Sequence, residues 1–147
     1  MRRFISAIIL SAFLLGTLAA QTTGKGVGVI IGEPTGISLK VWQTATTAID
    51  GGLAWSFGSN SKLHFHADYL IHNKNVLKEP NYIFYYGPGV RLRMGDDDRL
   101  GVRGVLGVNY FFQSAPLDMF LEIVPILDLL PGTYLSFNAG VGLRYFF

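Results

Sequence analysis

The chain has 147 residues, of which half are hydrophobic, and it contains 18 glycines, 11 phenylalanines and 7 tyrosines. This composition, with no second long apolar stretch after the N-terminus, favours a β-rich membrane protein over a helical one. A formal net charge of only +2 gives no basic surface for nucleic acid, and the lack of cysteine excludes both a disulfide scaffold and a lipoprotein anchored through an acylated cysteine.

Residues 1–20 predict a cleaved secretory signal peptide. Arg2 and Arg3 precede an apolar run over residues 4–15, and small residues follow as far as Ala20. Signal peptides have this order of charge, apolar run and small-residue exit, and the run is short for a membrane-spanning helix of about 20 residues. Removal of the leader leaves ten basic and ten acidic residues, so the predicted mature domain, residues 21–147, is formally neutral.

From residue 24 onward, apolar and polar residues alternate in segments of about ten residues separated by turn residues, as in transmembrane β-barrels. We predict eight strands, over residues 24–32, 36–42, 47–57, 62–72, 82–93, 99–112, 117–129 and 133–147. Pro88 stands against the fifth strand, because proline has no amide donor for the ladder. The predicted fold is an all-β, eight-stranded, antiparallel up-and-down transmembrane barrel with both chain ends on the periplasmic side.

The last strand carries the clearest pattern, because it alternates without a break and ends on an aromatic residue. Its apolar face includes Ala139, Val141, Leu143, Tyr145 and Phe147. This ending resembles the terminal signature by which bacterial outer-membrane barrels are recognised for assembly. The resemblance implies two groups of partners: the barrel-assembly machinery and periplasmic chaperones during biogenesis, and outer-membrane lipid and lipopolysaccharide afterwards.

Alternation alone does not decide which face of the barrel is inside. A soluble lipocalin-like barrel lines its interior with the apolar face, whereas an outer-membrane barrel turns that face to lipid. The leader and the terminal strand favour lipid, and so do the aromatic residues near strand ends, which suit an interfacial girdle. These aromatic residues are Trp55, Phe57, Tyr69, Tyr82, Phe84, Tyr110, Phe112, Tyr145 and Phe147.

With the polar face inside, the lumen receives a nearly balanced set of charges and two histidines. This predicted lumen charge network consists of Lys40, Asp50, His64, His66, Asp68, Arg91, Arg93, Arg103, Asp118, Glu122 and Arg144. Eight strands enclose a space that side chains just fill, and charges buried there need partners. Folding the hairpins places Lys40 opposite Asp50, and Asp50 opposite Asp68. The two aspartates repel each other, which requires a nearby cation such as Lys40 or Arg93. We therefore predict a salt-bridged plug and not an open pore.

His64, His66 and Asp68 occupy alternate positions of one strand face, a spacing that could hold a metal or serve acid–base chemistry. A metal site would need further ligands from other strands, so we predict that both imidazoles join the lumen hydrogen bonds, with no metal and no cofactor. Catalysis would need a nucleophile such as Ser56 or Ser61 beside a histidine. Because these side chains would point into a narrow lumen and away from acyl chains, no catalytic residue is predicted.

Three stretches extend the resemblance to known barrels: Gly32-Glu33-Pro34-Thr35-Gly36, Gly95-Asp96-Asp97-Asp98-Arg99 and Pro116-Leu117-Asp118-x-Phe120-Leu121-Glu122. With them, the chain resembles the small eight-stranded outer-membrane barrels, such as the membrane domain of outer-membrane protein A and outer-membrane protein X. It is more closely similar to a family of short bacterial barrels of this kind. The resemblance implies the fold and the bacterial outer membrane, but its motifs mark no activity.

We therefore expect a structural or envelope-maintaining barrel that is not an enzyme. The predicted outer turns are short and the longest connection, residues 73–80, is periplasmic, which argues against a loop-based adhesin or receptor. Three alternatives stay open: a narrow pore for ions or small solutes, a lipid-modifying outer-membrane enzyme, and a soluble periplasmic lipocalin-like binder.

Overall fold

The structure is a computed structural model that describes residues 24–32, 35–56, 62–95 and 98–147. The predicted signal peptide, Phe57 and Ser61 lie outside these residues. Among the residues that are described, no helix is long and apolar enough to cross a membrane.

Eight antiparallel strands form the chain's architecture. They are β1 (Lys25–Gly32), β2 (Gly36–Trp42), β3 (Thr47–Ser56), β4 (Lys62–Asn73), β5 (Tyr82–Met94), β6 (Arg99–Phe111), β7 (Leu117–Leu130) and β8 (Tyr134–Phe146). Each strand pairs with the next in sequence, and β8 pairs with β1 to close the barrel. The predicted all-β, eight-stranded up-and-down barrel is confirmed, and every predicted strand end lies within one residue of the observed one.

The first and last strands close the barrel through backbone contacts. The Phe147 amide donates to the Lys25 carbonyl over 2.9 Å. On β1, Gly28 lies opposite Arg144, and a Cβ at Gly28 would collide with the β8 backbone, 2.6 Å from the Arg144 Cα. Glycine at this position therefore lets the closing strands approach each other.

The outer wall of the barrel is apolar and exposed, as predicted. Its exposed side chains include Val27, Val29, Ile31, Leu39, Ile49, Leu53, Phe65, Val90, Val102, Leu106, Leu121, Ile123, Leu135, Phe137, Val141 and Leu143. Inward positions hold the buried residues, among them nine charged ones. The fold is thus apolar outside and charged inside, the reverse of a water-soluble globule.

The end of the barrel where β1 begins and β8 ends, which we call the terminal end, is filled by an apolar layer. Trp42, Ala48, Ile83, Phe111 and Phe146 form this cluster of buried side chains, which we call the floor. A second apolar cluster lies farther along the lumen and includes Leu70, Tyr85 and Phe120. The charged residues share the remaining interior with these two clusters.

Pro88 does not end β5, although it removes a ladder donor as expected. Pairing between β4 and β5 stops at Asp68–Gly89 and resumes in the same register at Ile71–Tyr86. Pro125 coincides with a similar gap between β6 and β7. A groove of about 710 Å³ on the outer wall is lined by both prolines. The barrel therefore tolerates proline at lipid-facing positions at the cost of local ladder pairs.

Candidate functional site: the charged lumen

The structure places the predicted charged residues and both histidines on the inner wall. Arg93 is half-buried. The buried members are Lys40, Asp50, His64, His66, Asp68, Arg91, Arg103, Asp118, Glu122 and Arg144. Strand pairing brings some of these side chains together, and others meet across the lumen.

Arg144 is the centre of the contacts nearest the floor. Its guanidinium binds Asp118 through two bonds, with Nε 3.0 Å from Oδ1 and Nη2 3.1 Å from Oδ2. Its Nη1 donates to Asp50 Oδ2 over 2.5 Å, and its Cζ lies 4.0 Å from the centre of the Phe120 ring. Bidentate, charge-assisted hydrogen bonds between an arginine and a carboxylate are among the strongest hydrogen bonds in proteins. Arg144 therefore links β8 to β7 beside it and to β3 across the lumen.

Lys40 turns toward neutral partners and not toward the acid that faces it in the sheet. Lys40 and Asp50 pair in the predicted register, yet the described residues show no ion pair between them. The Lys40 Nζ instead lies 2.7 Å from His72 Nε2 and donates to Asn109 Oδ1 over 3.2 Å. Lys40 thus lies opposite Asp50 as predicted, while the Asp50 carboxylate bonds to Arg144.

His72 and Asn109 are absent from the predicted charge network, although both belong to the lumen contacts. An ammonium only donates hydrogen bonds, so His72 Nε2 accepts from Lys40, and Nδ1 carries the hydrogen that points to the Thr46 carbonyl, 3.2 Å away. Asn109 donates from Nδ2 to Asp118 over 2.9 Å and so connects Lys40 to the Arg144 pair. Their inward position in the alternating pattern was the signal that could have found them.

A second group of contacts is centred on Arg103. Its Nε lies 2.9 Å from Asp68 Oδ1 without the alignment of a hydrogen bond, and its Nη2 lies 3.7 Å from Glu122 Oε1. Tyr85, also missed in the sequence, donates its hydroxyl hydrogen to Glu122 Oε2 over 2.8 Å. Arg103 therefore bridges β4 and β7 from its place on β6.

Asp50 and Asp68 face each other in the predicted register. Between them lies His66, with Nε2 3.9 Å from Asp50 Oδ1 and 3.8 Å from Asp68 Oδ2. The cations that pair with the two carboxylates are Arg144 and Arg103, and not Lys40 or Arg93 as expected. In the described part of the chain, Arg93 forms no ion pair; it lies opposite His64 in the sheet.

The third group lies toward the outer turns. Arg91 donates from Nη2 to Asp128 Oδ1 over 2.6 Å, and Arg99 Nη1 is 3.6 Å from Asp128 Oδ2. Asp128 is buried and takes an inner position in the alternating pattern, but it is not part of the predicted charge network. Arg99, which also lies over the Tyr134 ring, was not assigned to the lumen.

The catalytic alternative depends on a serine beside the histidines. The sheet register sets His64 opposite Ala54, and Ser56 opposite Lys62. The Ser56 side chain and the whole of Ser61 lie outside the described part of the structure. No described hydroxyl therefore supports a nucleophile for either histidine.

The barrel can now be compared with known proteins. No family model matches the sequence, and no curated protein matches it. Among solved structures, the fold is similar to the N-terminal β-barrel domain of OprF from Pseudomonas aeruginosa, with a TM-score of 0.58 and 12% sequence identity over 84% of this chain and 95% of that chain. The chain has the fold of an eight-stranded outer-membrane barrel domain. At this identity the likeness concerns the fold alone.

Within this outer-membrane barrel fold, the lumen contacts connect strands on different sides of the barrel. Arg144 joins β8 to β3 and β7, Arg103 joins β6 to β4 and β7, and Arg91 joins β5 to β7. The residues involved come from β3 to β8, and several of these contacts join strands that are not neighbours in the sheet.

Proposed function

We propose that the protein is a small integral barrel of the bacterial outer membrane, with a lumen closed by its own side chains and a structural or envelope-maintaining role without catalysis. The observation that carries this proposal is the inverted distribution of side chains, apolar outside and charged inside. A barrel in water would gain nothing from such an arrangement, whereas a barrel in lipid requires it.

The outer wall supports contact with lipid. Exposed apolar side chains follow one another around the barrel, far beyond the few hundred Å² of apolar patch that soluble monomers usually expose. The closed ladder leaves no free sheet edge, as a hydrocarbon environment demands. In this proposal, outer-membrane lipid and lipopolysaccharide surround the wall, and chaperones and the barrel-assembly machinery recognise the terminal strand.

Aromatic contacts near the terminal end support an interfacial girdle. The Tyr82 and Tyr110 ring centres are 4.9 Å apart, and the Tyr110 and Phe112 ring centres are 5.1 Å apart. Tyrosine prefers the membrane–water interface because its ring is apolar and its hydroxyl is polar. This cluster therefore supports a membrane interface at the terminal end, whereas the periplasmic position of that end rests on the predicted leader and the even number of strands.

Burial in the lumen supports the closed state. Lys40, Tyr85, Asp118 and Arg144 are fully buried, and the apolar floor covers the terminal end beneath them. A channel wide enough for hydrated ions would leave such side chains in contact with water. We therefore place the barrel with plugged structural barrels and not with pores.

The test of location is cell fractionation followed by gel electrophoresis with and without boiling. We expect the protein in the outer-membrane fraction, with a band that shifts on heating as a folded barrel opens. Recovery in the soluble periplasmic fraction without a heat shift would contradict the membrane proposal and favour a lipocalin-like binder.

The test of the closed lumen is conductance of the folded barrel in planar bilayers. We expect a conductance indistinguishable from that of protein-free bilayers. Stable unitary currents from heat-modifiable protein would contradict the closed lumen and support a narrow pore.

The test of catalysis is the structure of lipid A in cells that overexpress the protein. We expect lipid A to be unchanged, and a new acylation state would establish the lipid-modifying alternative.

A further inference from the structure

We propose that Asp50, His66 and Asp68 bind one divalent transition-metal ion, such as Zn²⁺, inside the lumen. One ligand atom from each residue, namely Asp50 Oδ1, His66 Nε2 and Asp68 Oδ2, lies within 4.8 Å of the others. All three residues are buried. They meet because Asp50 pairs with Asp68 and Gly52 pairs with His66, so three inward positions of β3 and β4 become neighbours.

The spacing of the three atoms suits a bridging cation better than a hydrogen bond. The gaps of 3.8 and 3.9 Å from His66 Nε2 to the carboxylate oxygens exceed hydrogen-bond length. Two Zn²⁺ bonds of about 2.1 Å at a tetrahedral angle separate their ligand atoms by about 3.4 Å. Small side-chain movements would therefore bring the three atoms onto one ion.

The His66 ring turns Nε2 to the two carboxylates and leaves Nδ1 on its other side. His66 is only 3% exposed, and its Nδ1 has no hydrogen-bond partner among the described residues. The His66 ring packs against Gly52, where a Cβ would stand 2.8 Å from Nε2. His64, with a buried and unpartnered Nε2 and a ring centre 5.9 Å from that of His66, offers a further nitrogen on the same strand.

The charges around the site leave room for a cation. Four buried carboxylates, those of Asp50, Asp68, Asp118 and Glu122, share two arginines, Arg103 and Arg144. Lys40 adds one positive charge to this group through Asn109, so four carboxylates in their ionised form outnumber these three cations by one. A divalent ion between Asp50 and Asp68 would offset the repulsion of two carboxylates that face each other in the sheet.

The arginines also orient the proposed ligands. Arg144 pairs with Oδ2 of Asp50 and Arg103 pairs with Oδ1 of Asp68, so the other oxygen of each carboxylate is the one that faces His66. Outer partners that fix first ligands in this way are typical of metal centres. One imidazole with two carboxylates favours Zn²⁺ or a similar transition metal over Mg²⁺ and Ca²⁺, which prefer oxygen ligands alone.

Zinc retention by the folded barrel tests the site. The full chain without its predicted leader is refolded in detergent with Zn²⁺, freed of unbound metal on a desalting column, and assayed for zinc per heat-modifiable barrel. We expect about one zinc per chain, and at least tenfold weaker binding after His66→Gln or Asp68→Asn. His72→Gln and Asp128→Asn, which change a buried histidine and a buried carboxylate elsewhere in the lumen, should bind like the unaltered protein.

The proposal is overturned if the unaltered barrel retains no zinc, or if His66→Gln binds as tightly as His72→Gln. Should the variants fail to show a heat shift, Co²⁺ added to the unaltered barrel decides the matter. Visible d–d absorption that Zn²⁺ removes and Mg²⁺ does not would support the site. A spectrum identical to that of Co²⁺ in buffer would reject it.

Discussion

Single arginines decide which acids in the lumen are neutralised. Arg144 and Arg103 each contact two carboxylates from different strands, and both side chains are almost completely shielded from solvent. Burying such ions costs several kcal/mol each, which only well-aligned partners offset. The loss of one arginine therefore leaves two buried carboxylates without their cation.

Arg144→Met tests this dependence while preserving much of the side-chain volume. We expect a loss of about 3–5 kcal/mol in the free energy of unfolding, because Asp50 and Asp118 stay buried without their cation. Urea titration of the barrel in lipid vesicles measures it. Arg93→Met is the control, because Arg93 is half-buried and has no ion pair among the described residues, and its effect should stay within about 0.5 kcal/mol. Equal losses in both variants would contradict the assignment.

A glycine on β6 makes room for the buried ring of Tyr85. A Cβ at Gly107 would meet the Tyr85 ring and stand 2.5 Å from its hydroxyl oxygen, which binds Glu122. Gly107→Ala should therefore destabilise the barrel by about 1–3 kcal/mol through overpacking. Gly132→Ala should leave the unfolding free energy unchanged, since no atom lies within 4 Å of that Cβ. A neutral Gly107→Ala would show that Tyr85 has space to move.

At the scale of strands, the sequence was sufficient for almost everything. Period-two alternation with turn residues placed all eight strands, their faces and the Lys40–Asp50 and Asp50–Asp68 registers. It could not predict contacts across the lumen, because these depend on the tilt and stagger of the closed barrel and not on sequence spacing. For that reason the contacts of Lys40 with His72 and Asn109 were missed, although its place opposite Asp50 was predicted.

A substitution at the end of the closing strand should affect assembly in cells without affecting the stability of the folded barrel. Phe147 is exposed, and its contacts with Lys25 are made by the backbone, so Phe147→Ala should leave unfolding in vesicles within about 0.5 kcal/mol of the unaltered protein. In cells we expect a several-fold lower amount of heat-modifiable protein in the outer membrane, since the predicted assembly signature loses its final aromatic residue. Phe137→Ala, on the same strand and equally outward, should accumulate normally. Equal yields from both variants would reject the signature.

At the scale of the whole molecule, the proposed membrane barrel differs from a soluble barrel in the medium around its outer wall, which is lipid in one case and water in the other. The connections between strands are short, and the longest, residues 74–81, lies at the terminal end. What remains for contact with the surroundings is therefore mostly the wall itself, whose exposed residues are apolar around the barrel. The free-energy cost of a charged side chain on that wall reports the medium around the wall directly. In a bilayer this cost depends on the depth of the side chain, whereas in water it does not.

Ile123→Arg and Leu130→Arg form a matched pair for this measurement. Both residues lie on β7 and are 57% exposed, but Ile123 is near the middle of the strand and Leu130 is at its end. In lipid vesicles we expect Ile123→Arg to reduce the unfolding free energy by about 2–4 kcal/mol and Leu130→Arg by about 0–1 kcal/mol. Water on the outer wall would make both substitutions equally mild. A difference that appears in vesicles and follows depth would identify the wall as the surface that lies in the hydrocarbon layer.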